Sequence, residues 1–243
     1  MQLGRRPAAS HADDIASALV QTVGRAGDRP ALCMLRPDRR EEQGFRTFAQ
    51  WVAKGAHLLE VDHGATPGDS VHLDSPACWA AAAVACACWW VGAAVTSDPD
   101  GALLSVVHER RRAPASAADC LWLGDAIDGG PTDAARPSWT REVAVFPDAP
   151  PAPRAAADLI ALRGDGEAVT QRQLLQQARE LGGPGRATEA VGLANADVEV
   201  ARWLALAVRP LATGAASVFV DGASEDARGR EPVAAWLDLL EQG

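Results

Sequence analysis

The segment DLIALRGDGEAVTQRQLL, residues 158–175, places a glycine-bearing turn between an apolar stretch and a helix-like stretch. Free backbone N–H groups and the helix dipole favour an anion at such a position. The turn also carries two carboxylates, Asp165 and Glu167, and no lysine. Two interpretations stay open: a remnant anion-binding site, or a tight turn that needs its glycines to reverse the chain. The candidate binding residues are Arg163, Gly164, Asp165, Gly166 and Thr170.

Other residues with reactive side chains form no recognisable catalytic or metal-binding pattern. The five histidines are scattered, and no Ser or Cys nucleophile accompanies them in a known motif. The five cysteines include no CxxC pair, and Cys86 and Cys88 would point about 200° apart on a helix. Asp62, His63 and Asp69 flank a turn without a recognised ligand spacing. We therefore predict reduced, buried thiols, no catalytic residue and no metal site.

Composition narrows the classes of partner. The 243 residues are 48% hydrophobic and 23% charged, as in ordinary globular proteins, and the net charge of -9 disfavours a nucleic-acid partner. The arginine runs at 39–40 and 110–112 are short and predict solvated surface.

No secretory signal and no membrane span are predicted. The first 20 residues lack a continuous apolar segment, which predicts a cytoplasmic protein. The apolar run at 77–95 approaches membrane-spanning length, but it is rich in alanine and contains Gly92. It therefore predicts a helix buried on all sides and no membrane partner.

Strand and helix patterns alternate along the chain. Strands are predicted at 31–35, 70–73, 93–96, 102–107, 120–124, 159–162, 190–194 and 217–220. Helices are predicted at 14–24, 46–60, 171–181, 197–212 and 232–241, besides the alanine-rich run. Thr47 and Gln50 form a capping-box pattern at the start of the second helix. This alternation predicts an α/β fold with mainly parallel sheets flanked by helices.

Residues 127–157 divide the pattern. They are rich in Pro, Ala, Asp and Gly, which predicts a linker or loop. The division gives a first α/β subdomain at 1–126 and a second βαβα segment at 158–243. The alternative is one compact domain overall.

The order of several motifs resembles the opening of the adenylate-forming enzymes, the superfamily of acyl-CoA synthetases and luciferase. DRPAL, RTFAQWVAKGAHLL, GATPGDSVHL and CWWVGAAV follow one another between residues 28 and 95. PLATGAASVFVD, residues 210–221, is similar to the family's PL-x-x-GA-x-x-V segment. The resemblance implies the fold of that family's N-terminal subdomains.

The resemblance also gives a register for the turn. GEAVTQRQLL is similar to the end of the family's AMP-binding loop, with Asp165 at the position of the loop lysine and Gln171 replacing a histidine. Like charges about 4 Å apart repel by about 1–4 kcal/mol at surface-like dielectric. We therefore expect weak or no binding of ATP or AMP.

Functional expectations follow from the resemblance. The family's adenine pocket, Y-G-x-TE motif, ribose-binding aspartate and catalytic lysine have no counterpart in this sequence. We expect a truncated, catalytically inactive protein that acts as a ligand-binding, regulatory or structural module. The alternative is an adenylate-forming ligase completed by a partner chain. A homodimer or a partner chain is expected to cover surface that truncation exposes.

Overall fold

The computed structural model describes residues 12–36, 39–115, 119–164, 167–181, 189–193 and 200–221. Helices and strands alternate along most of this part of the chain. The helices are α1 (Ile15–Ala26), α2 (Phe45–Val61), α3 (Trp79–Val91), α4 (Trp139–Val143), α5 (Gln171–Glu180) and α6 (Val200–Thr213). The strands are β1 (Pro30–Leu35), β2 (Arg40–Gly44), β3 (Ser70–Asp74), β4 (Ala94–Thr96), β5 (Leu104–His108), β6 (Cys120–Leu123), β7 (Ile160–Arg163), β8 (Ala168–Thr170), β9 (Glu189–Leu193) and β10 (Ser217–Asp221).

The described strands form two sheets. The four-stranded sheet has the order β2-β1-β10-β9, and the six-stranded sheet has the order β6-β5-β3-β4-β7-β8. Only the hairpins β1–β2 and β7–β8 are antiparallel among these pairs. The predicted α/β fold with mainly parallel sheets is confirmed.

Both sheets combine strands from the two predicted segments. In the smaller sheet β1 pairs with β10, and in the larger sheet β4 pairs with β7. The segment boundaries proposed at 126 and 158 stay predictions.

The alanine-rich helix α3 lies between the sheets. It contacts β1 in one sheet and β3 and β4 in the other, and all thirteen of its residues are buried. Helix α3 is therefore apolar on every side because it is buried on every side in the protein core, as predicted. Within the described residues, no helix has the length and apolar character needed to cross a membrane.

Helix α2 begins two residues earlier than its predicted capping box. Gly44 is the N-cap, and no side chain caps the helix. Instead, the N–H of Phe45 donates to the carbonyl of Arg29, and the N–H of Arg46 donates to that of Gly27. The capping-box prediction at Thr47 and Gln50 is wrong, because the helix starts earlier and the loop between α1 and β1 accepts its first two N–H groups.

Three short elements were not predicted: β2, α4 and β8. Strand β2 has three charged residues among its five, and β8 has only three residues. Each forms through contacts with another element: β2 pairs with β1, β8 pairs with β7, and α4 packs on α2. The helix predicted at 232–241 lies outside the described residues.

Candidate functional site

The predicted anion-binding turn is part of a β-hairpin. Strand β7 ends at Arg163 and pairs antiparallel with β8, and the N–H of Gly164 donates to the carbonyl of Glu167 at 3.0 Å. Arg163 and Gly164 are exposed at the carboxyl end of β7. Asp165 and Gly166 lie outside the described residues. The turn therefore leads into a second strand, and α5 begins only after that strand.

The N-terminus of α5 is closed by the chain itself. Thr170 accepts the N–H of Gln173 on its side-chain oxygen, and the Gln173 side chain accepts the N–H of Thr170 at 2.8 Å. The N–H of Gln171 donates to Leu159 at 2.9 Å, and the N–H of Arg172 donates to a further carbonyl, that of Ala157, at 3.0 Å. The first three N–H groups, which would otherwise face an anion, already have acceptors.

Gln171 connects three helices. Its side chain is 0% exposed, its Oε1 accepts the N–H of Ile15 at 3.0 Å, and its Nε2 donates to the carbonyl of Trp89 at 3.0 Å. It thus satisfies one polar group at the start of α1 and another near the end of α3. The position that the resemblance aligns with a histidine here carries an amide with a packing role.

Thr170 is the only predicted site residue with a defined side-chain role in the described part of the chain, and that role is helix capping. Arg163 pairs through its backbone with Thr96 on one side and Ala168 on the other. Arg163 lies at the carboxyl end of β7, whereas Thr170 pairs with Ile160 at the opposite end of that strand, so the structure does not bring these two side chains together. Their assignment as an anion site stays a prediction.

A polar cluster lies around Asp125, at the carboxyl edge of the larger sheet. Its carboxylate accepts from Arg36 Nη1 at 2.7 Å and from Arg110 Nε at 2.6 Å. Arg36 also pairs with Glu41 at 2.9 Å, and the side chains of this pair are 7% and 6% exposed. Because Arg36 follows β1 and Asp125 follows β6, the cluster joins the two sheets.

The position of this cluster is one where α/β proteins commonly bind ligands. In the larger sheet β3 and β5 are neighbours. The strand that follows β3 along the chain, β4, lies on one side of this pair, and the strand that follows β5, β6, lies on the other side. A crevice at the carboxyl ends of the strands is expected where the direction reverses in this way. Asp74, at the end of β3, pairs with Arg111 across this point at 3.3 Å.

The charges of the cluster compensate one another. Burial disfavours the charged guanidinium of Arg36, but Glu41 and Asp125 outweigh burial and raise the pKa of Arg36. His108 is 1% exposed, and burial lowers its pKa against the opposing effect of Asp125. Its Nδ1 accepts the N–H of Arg110 at 3.2 Å, so Nε2 carries the proton that faces Asp125 at 3.7 Å. This arrangement suits a fixed junction between the sheets.

Sequence reasoning missed this junction. The arginine runs were predicted as solvated surface, yet Arg39 pairs with Glu41 at 2.7 Å and Arg110 pairs with Asp125. Arg110 is exposed, as predicted, whereas Arg39 is half-buried, so the prediction is wrong at Arg39. The sequence alone did not show that both side chains also form ion pairs at the junction. The sequence did contain one indication of the junction: charged residues follow closely after several predicted strands, whose carboxyl ends meet at one edge of a parallel sheet.

Four of the five cysteines are buried, as predicted, whereas Cys120, at the start of β6, is half-buried, so the prediction of a buried thiol is wrong there. Burial raises the pKa of Cys33 and Cys88 to about 12, and it also raises the pKa of Cys78 and Cys86. All four stay protonated thiols near neutral pH, as expected for small buried hydrophobes. Within the described ranges, no three His, Cys, Asp or Glu side chains are grouped so that they could hold a metal ion.

Comparison with known proteins gives one partial relative in sequence. No family model matches the chain. A protein of Mycobacterium tuberculosis, described only by a family number, is 36% identical over 78 residues, which is 32% of this chain and 32% of that protein. The sequence match thus covers a third of each chain.

Solved structures match over most of this chain. An anthranilate CoA ligase in complex with anthranoyl-AMP has a TM-score of 0.67 at 16% identity, covering 89% of this chain and 46% of that one. An acyl-CoA synthetase of Brucella canis has a TM-score of 0.64 at 17% identity, covering 85% and 43%. A fatty acyl CoA synthetase of Mycobacterium tuberculosis has a TM-score of 0.61 at 13% identity, covering 86% and 44%.

This chain spans under half of the length of each of these three solved chains. At this identity the likeness concerns the fold. The motif order in the sequence and the two sheets of the structure agree with it. The chain therefore has the fold of the N-terminal part of the adenylate-forming enzymes.

Proposed function

We propose that this chain is a non-catalytic module with the N-terminal fold of an adenylate-forming enzyme, acting as a binding, regulatory or structural protein. The observation that carries the proposal is the closed N-terminus of α5. The first three N–H groups of this helix donate to Leu159, Ala157 and Thr170. A phosphate placed there would have to displace bonds that the chain already makes.

The charge of the turn supports the same proposal. Asp165 and Glu167 place two carboxylates within three residues, and the chain's single lysine, Lys54, belongs to α2. An anionic nucleotide approaching this turn would meet repulsion of about 1–4 kcal/mol for one carboxylate about 4 Å away. The satisfied N–H groups of α5 and the negative charge of the turn therefore both disfavour triphosphate binding.

The test combines binding and chemistry. Titration calorimetry of the full chain with Mg-ATP and with AMP is expected to give no Kd below about 1 mM. Carboxylate-dependent exchange of pyrophosphate into ATP is expected to equal the protein-free background. Saturable heat with either nucleotide would contradict the closed site, and exchange above background would contradict the absence of catalysis.

A charge reversal tests the register of the turn. If Asp165 occupies the position of a phosphate-binding lysine, Asp165→Lys should raise the affinity for ATP by about tenfold or more, as removal of about 1.4 kcal/mol of repulsion would do. Glu167→Lys, which changes the net charge equally, is the matched control. Equal effects of the two substitutions would show that the register is wrong.

The alternative function is an adenylate-forming ligase completed by a partner chain. The fold that the chain shares with the solved synthetases and ligases favours it. In that case pyrophosphate exchange should appear when the separately purified C-terminal half of a related CoA ligase is added. Exchange by the mixture, absent from either component, would replace the non-catalytic proposal.

A further inference from the structure

The proline-rich segment predicted as a linker is attached to the surface of α2. We define residues 145–154 as the proline strap. Lys54 Nζ donates to the carbonyl of Phe146 at 2.7 Å and pairs with Asp148 at 3.0 Å. His57 Nε2 donates to the carbonyl of Ala149 at 2.9 Å, and its ring stacks on Phe146 with the centroids 6.1 Å apart. One side of α2 thus fixes the first half of the strap.

Helix α3 and the end of α2 fix the second half. Trp90 Nε1 donates to the carbonyl of Pro151 at 2.9 Å, and the N–H of Arg154 donates to the carbonyl of Trp90 at 2.9 Å. Arg154 also pairs with Glu60 at 3.0 Å. The main chain of the strap is therefore held at Phe146, Ala149, Pro151 and Arg154, and of its prolines only Pro151 is half-buried.

The outer side of the strap is apolar and exposed. Val145 is 83% exposed, more than any other large hydrophobic side chain in the described residues. Pro147, Pro150 and Pro153 are also exposed, and they recur every third residue. Between the ion pairs of Asp148 and Arg154 the strap has the sequence APPAP, without charge. Exposed prolines at every third position, in a stretch without charge, are the sequence pattern that proline-recognition domains bind.

We propose that the proline strap is a docking ridge for a separate protein whose groove is lined by aromatic side chains. Proline fixes φ, and contacts from α2 and α3 hold the backbone, so little conformational entropy is lost on binding. Aromatic grooves recognise proline-rich segments for this reason. Among the described residues, no donor reaches the carbonyls of Pro150, Ala152 and Pro153, which leaves acceptors for a partner.

A second copy of this chain does not supply such a groove from its described residues. Trp51 lies 5.2 Å from Trp79 and 6.3 Å from Trp139 between ring centroids, and Arg136 covers Trp122 at 4.1 Å. The sequence contains no tyrosine. The aromatic side chains of the described part are buried or half-buried, which favours a different protein as the partner.

The experiment uses the full chain and a panel of purified SH3, WW and EVH1 domains as probes, followed by fluorescence anisotropy. At least one domain is expected to bind with a Kd in the micromolar to submillimolar range. The double substitution Pro150→Ala/Pro153→Ala should weaken that binding at least tenfold. Pro137→Ala, at an exposed proline outside the strap, should leave it unchanged. Urea denaturation of each variant confirms that the fold is retained.

A second variant tests whether the partner recognises the strap in its anchored conformation or only its amino-acid sequence. Lys54→Ala removes the anchor of Phe146 and Asp148 but leaves all strap residues in place, and it should weaken binding several-fold. Unchanged or tighter binding by this variant would overturn the held strap as the recognised form. Absence of binding across the panel, or equal loss in Pro137→Ala, would overturn the docking ridge. None of these results depends on nucleotide binding.

Discussion

At the scale of single residues, the polar groups near the predicted site are directed into the protein. Gln171 joins α1 and α3 through its amide, and Thr170 caps α5. A binding site keeps some polar groups available to a ligand, whereas these two residues satisfy other parts of the chain. Their chemistry is that of structural connectors.

Replacing Gln171 tests this role. Gln171→Ala should lower the free energy of unfolding by about 2–4 kcal/mol, because the Ile15 N–H loses its acceptor and the Trp89 carbonyl loses one donor in a buried region. Gln177→Ala, at an exposed position of the same helix, should change it by less than about 0.5 kcal/mol. Urea denaturation followed by tryptophan fluorescence measures both. Equal effects would show that the buried amide contributes no more than a surface one.

Two buried histidines make stability depend on pH. Burial lowers the pKa of His72 and of His108 below the ordinary value of 6.5. The unfolded chain therefore binds protons first as the pH falls, so the stabilisation is complete above pH 6.5 and is lost below it.

We expect the unfolding free energy to fall between pH 7 and 5.5, by up to about 1.4 kcal/mol per pH unit for each histidine. The variants His72→Asn and His108→Asn should each reduce this slope, and His63→Asn serves as the control. Urea denaturation at a series of pH values measures the slope. A slope that both substitutions leave unchanged would exclude these histidines as its source.

At the scale of elements, the close approach of α2 and α3 depends on Gly55. A Cβ at this position would lie 2.8 Å from Trp139 Cζ2 and 2.9 Å from the Cβ of Ala87. A Cβ added at Gly24 in α1 would meet no atom within 4 Å. The two glycines have the same helical propensity but different surroundings.

This contrast gives substitutions of opposite sign. Gly55→Ala should destabilise by about 1–3 kcal/mol, because overpacking between α2 and α3 exceeds the gain in helix propensity. Gly24→Ala should stabilise by up to about 1 kcal/mol, because only the propensity changes. Thermal and urea denaturation distinguish the two. Stabilisation by Gly55→Ala would mean that the helices can separate without loss.

At the scale of the whole molecule, Asp125 holds the two sheets together at their carboxyl edge. It bonds to Arg36 after β1 and to Arg110 after β5, while it follows β6 itself. Removing one partner of a buried ion pair leaves an uncompensated charge, which is more harmful than the pair is beneficial. The stability of the contact between the two sheets should therefore depend on the Asp125 carboxylate.

Asp125→Ala should lower the free energy of unfolding by about 2–3 kcal/mol, somewhat less than for a fully buried pair because Asp125 is partly exposed. Asp133→Ala breaks an exposed pair with Arg136 and should lower it by less than about 1 kcal/mol. Urea denaturation of both variants at low and high salt provides the comparison. A loss for Asp125→Ala as small as that of the control would show that the junction is not stabilising.

The sequence predicts those parts of the fold that depend on local periodicity. Helix α3 is apolar on every side, β3 alternates apolar with polar residues, and β5 is mostly apolar, so the type of each follows from its own residues. Strand β2, with the sequence REEQG, has no such pattern and exists because β1 supplies its hydrogen bonds. Elements such as β2 form only when a neighbouring strand supplies their hydrogen bonds, so local sequence patterns do not predict them.

The candidate site divides in the same way. The sequence by itself determined the alternation of strands and helices, the order of motifs that leads to the fold, and the acidic turn at Asp165, because these depend on residue types and spacing within short segments. The tertiary structure alone decided that Gln171 joins three helices, that Arg36 meets Asp125, and that the proline strap lies on α2. These contacts join residues tens to more than a hundred positions apart, and only the packing of the sheets and helices brings them within bonding distance.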